Sequence, residues 1–304
     1  MGEQISGRAS TPSPHGAPVT TEATEAVEPV EPDFDWRWAE GDGDDTWVPP
    51  TVDITRPSVA RMYDYALGGK DNYAIDREAA DRAMQVLPDG PELARVNRVF
   101  LVAAVRSMAR AGIRQFLDLG TGIPTSPNVH EVARELIPDA RIVYVDNDPV
   151  VLAHSRAMLD GTPGVAVLTR DLRDPAAVLD DVRLRRVLSL DEPVGLLLVS
   201  VLHFVEPTIG AQAMRHYIDR LAPGSRLAFS VGTFDGVPPN VTRHLEEVYR
   251  GATAPLHFRT LAQTEEVLDG LEVLPPGIVD IARWTDPEAP MLNMRMHTGI
   301  AVKP

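Results

Sequence analysis

A buried strand that opens into a glycine loop constrains this sequence most. Residues 115–122 read Gln-Phe-Leu-Asp-Leu-Gly-Thr-Gly, an apolar run with one carboxylate followed by two glycines one residue apart. The run predicts a buried strand, and the glycines predict a turn in which a nucleotide-like ligand approaches bare backbone.

Two later segments repeat the strand-to-carboxylate pattern. Residues 141–146 predict a second strand that ends at Asp146, and residues 165–171 predict a third that ends at Asp171. In an open parallel sheet the ligand binds beyond the carboxyl ends of the strands. Asp118, Asp146 and Asp171 are therefore expected to lie along one sheet edge and to hold one ligand.

The order of the segments predicts the fold class. After Gly112, apolar strands alternate with helical patterns, which indicates an α/β domain over residues 113–304 whose mostly parallel sheet is covered by helices on both faces. Residues 53–112 predict N-terminal helices over 56–67 and 93–110. Residues 1–52 are rich in Pro, Glu and Thr and predict a mostly disordered tail, whose tryptophans dock on the domain or bind a partner.

Composition limits the partners. The formal net charge of −15, without a basic face, argues against a nucleic-acid partner. The absence of cysteine excludes disulfides and thiol nucleophiles, and no apolar run predicts a membrane span or a signal peptide. Lysine is scarce and arginine, alanine and proline are plentiful, as in GC-rich bacterial genes. We expect a bacterial cytoplasmic protein that acts on a small molecule, and the oligomeric state stays open.

The glycine loop discriminates between cofactors. A dinucleotide fingerprint requires a third glycine where this chain has Thr125, and the carboxylate of Asp118 would repel a pyrophosphate. The same carboxylate suits a ligand with an ammonium and a sulfonium. An NAD(P)-dependent oxidoreductase is therefore disfavoured.

These residues resemble the first motifs of class I S-adenosylmethionine (SAM)-dependent methyltransferases, which implies a Rossmann-like sheet and SAM as cofactor. The resemblance implies that the loop passes under the methionine part of SAM, that Asp146 binds the ribose, and that Asp171 and Leu172 meet the adenine. The resemblance also implies that the segment after the fourth strand flanks the cofactor. The positions carried over as cofactor-binding are Asp118, Gly120, Thr121, Gly122, Asp146, Asn147, Asp171, Leu172, Ser200 and Val201.

A more specific resemblance covers most of the chain from Asp53 onward. Residues 57–72, 118–128 and 144–149 are similar to a SAM methyltransferase family abundant in actinomycetes, in which Pro124 is the usual residue of the loop. The match favours a functional loop at residues 68–73 over an ordinary turn after a helix. We expect this loop, including Gly69, and the helix with Arg61 to close over SAM, with Arg61 or the loop amides holding the methionine carboxylate.

Candidate catalytic residues are few. Methyl transfer from a sulfonium needs mainly orientation and exclusion of water, and a general base only if the acceptor must lose a proton early. His203 after the fourth strand either moves that proton or shapes the pocket. Tyr65, together with Tyr63, Asp64 and Tyr73, is expected to cap the pocket from the N-terminal helices, with about half of these side chains facing the core instead because of helical spacing. The sequence predicts a SAM-dependent methyltransferase without a metal site; the alternative is a non-catalytic SAM-binding module with the same fold.

Overall fold

The computed structural model describes residues 53–159 and 161–304, with the side chains of residues 156–158 left aside. The predicted disordered tail and its tryptophans lie outside the described residues. The helices are α1 (Val59–Ala66), α2 (Ala74–Met84), α3 (Gly90–Arg110), α4 (Val129–Leu136), α5 (Pro149–Leu159), α6 (Pro175–Leu179), α7 (Val182–Val187), α8 (Pro207–Arg220), α9 (Pro239–Tyr249) and α10 (Leu261–Val267). The strands are β1 (Gln115–Leu119), β2 (Arg141–Asp146), β3 (Val165–Thr169), β4 (Gly195–Val199), β5 (Arg226–Thr233), β6 (Glu272–Val273), β7 (Val279–Asp280) and β8 (Arg295–Val302).

The strands form one eight-stranded sheet in the order β3-β2-β1-β4-β5-β8-β6, and β7 also pairs with β8. Strands β1 to β5 are parallel to their neighbours, whereas β8 runs antiparallel to β5. The strand order reverses between β1 and β4, so a crevice opens there at the carboxyl ends of both strands. The mostly parallel sheet predicted from the sequence is confirmed.

Helices cover both faces of the sheet. One face packs against α3, α4 and α5, and the other against α6, α7, α8 and α10. All five residues of β1 are buried, as expected for a central strand covered on both sides. No helix among residues 53–159 and 161–304 is long and apolar enough to cross a membrane.

A third, smaller hydrophobic cluster joins the N-terminal helices to α9 and to segments near the C-terminal end of the sequence. It brings Met62 of α1 and Ala83 of α2 together with Leu245 of α9, Phe258 and Met294. Helices α1 to α3 therefore pack over the carboxyl edge of the sheet although they precede it in sequence.

The start and end of α1 follow from local chemistry. Ser58 is the N-cap residue, and Gly68 ends the helix with φ of +82°, a conformation that glycine adopts without strain. The sequence predicted α1 and α3 but not α2, because α2 has a weak apolar stripe of alanines. The apolar pattern over residues 174–182 predicts a single helix, but the structure has two, since α6 ends at Leu179 and α7 begins at Val182.

Candidate cofactor and acceptor site

A cavity of about 660 Å³ lies at the reversal of strand order, within the size range of small-molecule sites. Part of its lining, here called the cofactor half, comes from the carboxyl ends of β1, β2 and β4 and the segment after β3. Its residues are Asp118, Gly120, Thr121, Gly122, Asp146, Asn147, Asp171, Leu172, Ser200 and Val201. Of the twelve predicted cofactor-binding residues, these ten lie in the cofactor half, and Arg61 also lines the cavity.

The glycine loop lies tightly against the segment after β4. Gly120 has φ of +71°, and a Cβ there would lie 2.2 Å from Cγ2 of Val201, so only glycine fits. Gly122 has φ of +66°, and its amide donates a hydrogen bond of 2.9 Å to Oδ2 of Asp146. Thr121 donates through Oγ1 to Oδ2 of Asp118 at 2.9 Å. The two carboxylates therefore hold the loop as well as line the cavity.

Both carboxylates carry a burial penalty. Burial raises the pKa of Asp118 to about 6, opposed by the Thr121 hydroxyl and the positive charge of Arg98. Burial likewise raises the pKa of Asp146 to about 6, although the amides of Asp148 and Gly122 donate to it. Two buried carboxylates that are ionised at neutral pH favour a cationic ligand.

Asp171 has a different environment. Arg173 donates to both of its carboxylate oxygens, which lowers the pKa of Asp171. Leu172 is buried, and Tyr217 donates to its carbonyl oxygen at 3.1 Å. This end of the cavity offers an apolar side chain beside polar groups, which suits a heteroaromatic ring.

A buried series of hydrogen bonds joins α1 and α3 to the sheet. Ser200, with φ of +59°, donates its amide to Oγ of Ser230, which donates to Oδ1 of Asn97 at 2.6 Å. Asn97 in turn donates to the hydroxyl of Tyr63, which donates to the carbonyl of Ala94. Every polar side chain of this series has a partner, so α1 and α3 are held rigidly above β4 and β5.

His203 lies in the short 3-10 turn Leu202–Phe204 and lines the cavity. Its Nδ1 accepts a hydrogen bond from the amide of Gly232 at 3.2 Å, which places the proton of the neutral ring on Nε2. Burial and the charge of Arg259 lower the pKa of His203 to about 3. A group with so low a pKa does not accept a proton at neutral pH, so the general-base option for His203 is disfavoured and the pocket-shaping option favoured.

Two predicted residues lie outside the cavity lining. Tyr65 points the other way along α1 and donates to Oδ1 of Asp81, while Tyr63 lines the cavity. A helix turns about 200° over two residues, which separates these side chains. Gly69 also lies outside the lining; a Cβ there would lie 2.0 Å from Oδ1 of Asp64, and Asn72 donates to both residues. The loop over residues 68–73 therefore supports Asp64 rather than facing the cavity itself.

Arg61 lines the cavity but is already engaged. Its Nε forms a buried ion pair of 2.7 Å with Asp76, and one Nη donates to the carbonyls of Asp53 and Arg56. Its guanidinium also lies 5.3 Å from the ring centre of Tyr73. These contacts join α1 to α2, and this structural role explains why the Arg61 side chain is buried.

Arg98 of α3 was missed by the sequence analysis. It lines the cavity close to Asp118, and one Nη donates to the carbonyls of Thr125 and Pro127 at 2.8 Å each. Its Nε and second Nη have no partner among the described residues. Asn97 was not identified as a site residue either, whereas Tyr63 was among the residues expected to cap the pocket. No sequence motif marks Arg98 or Asn97 as a site residue.

The other part of the lining, here called the apolar half, consists of side chains from the third hydrophobic cluster. Its residues are Met62, Ala80, Ala83, Met84, Leu87, Leu93, Leu245, Tyr249, Leu256, Phe258 and Met294. They come from α1, α2, α3, α9 and the segments that follow α2, follow α9 and precede β8. The cavity therefore has a polar, acidic side on the sheet edge and an apolar side under the N-terminal helices.

The residues present fit SAM. The glycine cradle admits backbone approach, the buried carboxylates suit an ammonium and a sulfonium, and two neighbouring carboxylates disfavour a pyrophosphate. The described residues contain no cluster of three or more metal-ligating side chains. Sheet order, loop and acidic strand ends together define a class I SAM-dependent methyltransferase.

Comparison with known proteins agrees. The family model described as S-adenosyl methyltransferase matches residues 45–304. A DUF574 family protein from Streptomyces avermitilis shares 41% identity over 82% of this chain and 98% of its own, with a TM-score of 0.77. A methyltransferase candidate from Thermobifida fusca shares 39% identity over 85% of this chain and 99% of its own, with a TM-score of 0.78. No curated protein matches the chain. The chain belongs to the S-adenosyl methyltransferase family.

Proposed function

We propose that this protein transfers the methyl group of SAM to a small-molecule acceptor in the bacterial cytoplasm. The observation that carries the proposal is one continuous cavity with an acidic cofactor half and an apolar half under the lid helices. A small molecule fits this cavity because α1, α2 and α9 cover its apolar half. The lack of cysteine and the actinomycete relatives support the location.

The cofactor half supports a role for each carboxylate. Asp146, at the end of β2, is placed to accept hydrogen bonds from the ribose hydroxyls, with Asn147 beside it. Asp171 and Leu172 flank the adenine, and Ser200 and Val201 close the other side of the crevice. The positions of these residues in the lining support this assignment.

Arg98 replaces Arg61 in our assignment of the methionine carboxylate. The methionine end of SAM is a zwitterion, and Arg98 and Asp118 together offer one positive and one negative group at the glycine loop. Arg98 has donors without a described partner, whereas Arg61 is committed to Asp76 and two backbone carbonyls. Arg98 would bind the carboxylate and Asp118 the ammonium.

SAM, when bound, supplies a methyl group activated by its sulfonium. The chain contributes orientation, exclusion of water and a fixed hydrogen-bond donor, Nε2–H of His203. Because the imidazole of His203 stays neutral, the acceptor is proposed to attack without prior proton removal by this histidine. Residues 53–112 act as the lid and residues 113–304 as the SAM-binding domain, as the contacts of the third cluster support.

Calorimetric titrations with SAM, S-adenosylhomocysteine (SAH) and NAD test the cofactor, since the first two should bind and NAD should not. Incubation with methyl-tritiated SAM and a bacterial cell extract tests the acceptor. Label in the small-molecule fraction supports the proposal, and label only in protein or nucleic acid contradicts it. SAM binding without any transfer would favour the non-catalytic module.

A further inference from the structure

The apolar half of the cavity carries information about the acceptor, and the inference drawn from it rests on the proposed function. We propose that the acceptor is uncharged and mostly apolar, an aromatic ring system that carries a neutral hydroxyl or amine.

The apolar half consists of members of the third hydrophobic cluster, which brings eleven uncharged side chains together. A charged acceptor group placed among them would lose its hydration without gaining a counter-ion, which is costly. The apolar half of the cavity therefore disfavours acceptors whose carboxylate, phosphate or ammonium group would lie among these side chains.

The charged side chains that line the rest of the cavity are already engaged or face the cofactor. Arg61 pairs with Asp76, Arg173 pairs with Asp171, and Arg56 donates to the carbonyl of Ala252 at 2.8 Å. Asp64 accepts from Asn72 at 2.9 Å, and burial raises its pKa to about 6. None of these three arginines is therefore left to neutralise an anionic acceptor.

Polarizable and aromatic groups favour a ring system. Met62, Met84 and Met294 line the apolar half, and thioethers pack well against aromatic rings. The ring of Phe204 lies 4.5 Å from that of His203 and 5.7 Å from that of Tyr249, measured between centroids. A flat acceptor in the apolar half of the cavity can thus contact both aromatic rings and methionine side chains.

Two polar atoms call for a neutral hydrogen-bonding group on the acceptor. His203 and Tyr249 line the cavity, and neither Nε2–H of His203 nor the hydroxyl of Tyr249 has a hydrogen-bond partner among residues 53–159 and 161–304. Burial raises the pKa of Tyr249 to about 12, so its hydroxyl stays protonated. A hydroxyl or amine on the acceptor would pair with these groups.

Three naphthalene probes with one ring system and different charges test the inference. The full chain saturated with SAH is titrated at pH 7.5 with 2-naphthol, 2-naphthoate and (2-naphthylmethyl)ammonium. We expect 2-naphthol to bind at least about tenfold more tightly than either charged probe. Absent 2-naphthol binding, or equal or tighter binding of a charged probe, would overturn the inference.

Variants locate the binding in the chamber. Met84→Glu places a carboxylate in the apolar half and should weaken 2-naphthol binding at least about tenfold, while Met84→Leu keeps it. Gln85→Glu adds the same charge on the exposed neighbouring residue and should leave it unchanged. If Met84→Glu fails to fold, the probe series on the parent protein still decides. SAH affinity separates the proposed function from the inference about the acceptor. If the parent protein does not bind SAH, the proposed cofactor site is wrong, whereas the inference about the acceptor is judged by the probe series.

Discussion

Replacing Asp118 by Asn should stabilise the cofactor-free protein while weakening SAM binding. Asp118 is 6% exposed, and burial raises its pKa from 3.8 to about 6. The folded protein therefore binds more protons than the unfolded chain between about pH 4 and 6, so stability falls as the pH rises through this window. At pH 7 the full cost of the buried charge is present.

The magnitude follows from the size of the shift. A shift of roughly two pKa units corresponds to about 3 kcal/mol, an upper limit for what the neutral side chain could recover. The amide still has a burial cost and accepts a weaker hydrogen bond from Thr121, which leaves about 1–2 kcal/mol. For a domain of this size that gain raises the melting temperature by about 2–8 °C. Loss of a charged hydrogen bond to the ammonium should weaken SAM binding about tenfold to a hundredfold.

Thermal unfolding of the cofactor-free protein between pH 4 and 7.5, with calorimetric titration of SAM at pH 7.5, measures both effects. The difference in melting temperature between Asp118→Asn and the parent should shrink as the pH falls below about 6. Asp139→Asn, at an exposed aspartate paired with Arg114, is the control and should behave like the parent. A variant that is less stable than the parent at pH 7.5, or that binds SAM equally well, would refute the reasoning.

Three further substitutions test the other parts of the site. Asp146→Ala should weaken SAM binding about tenfold to a hundredfold in calorimetry, because it removes the proposed ribose acceptor and a partner of the glycine loop; parent-like affinity would contradict the ribose assignment. Arg98→Met should weaken SAM binding at least about tenfold, whereas Arg95→Met, one turn away and with an exposed side chain, should not. If both variants bind SAM with equal affinity, a donor other than Arg98 binds the methionine carboxylate. Gly69→Val should lower the melting temperature by several degrees and weaken SAM binding, because its Cβ displaces Asp64, and a parent-like protein would show that the loop does not support the cavity.

The sequence predicted the sheet edge well because local chemistry marks it. A near-continuously apolar strand followed by a carboxylate or a glycine turn is visible without tertiary information, and β1 and β2 end as expected. Strand β3 ends at Thr169, two residues before the predicted Asp171. The position of Gly120 depends on its own φ and on one neighbour, Val201, that follows β4. Residues of this kind are recognisable from pattern alone.

The lid side of the cavity was less predictable because it depends on helix rotation and long-range packing. Whether Tyr63 or Tyr65 faces the cavity depends on the rotation of α1 about its axis. A helix of eight residues is too short for its hydrophobic pattern to determine that rotation. An arginine in a helix gives no sign of its partner. The pairing of Arg61 with Asp76 and the bonds of Arg98 to the carbonyls of Thr125 and Pro127 therefore emerge only from tertiary contacts.

The two halves of the cavity are mechanically connected, which links cofactor binding to the shape of the acceptor chamber. The chain from Ser200 through Ser230 and Asn97 to Tyr63 joins the segment after β4 to α3 and α1 without an unpaired side-chain group. A ligand that orders the segment after β4 therefore also fixes the helices that carry part of the apolar lining. Because the same helices exclude water from the chamber, holding SAM and preparing a dry site for the acceptor depend on one set of hydrogen bonds.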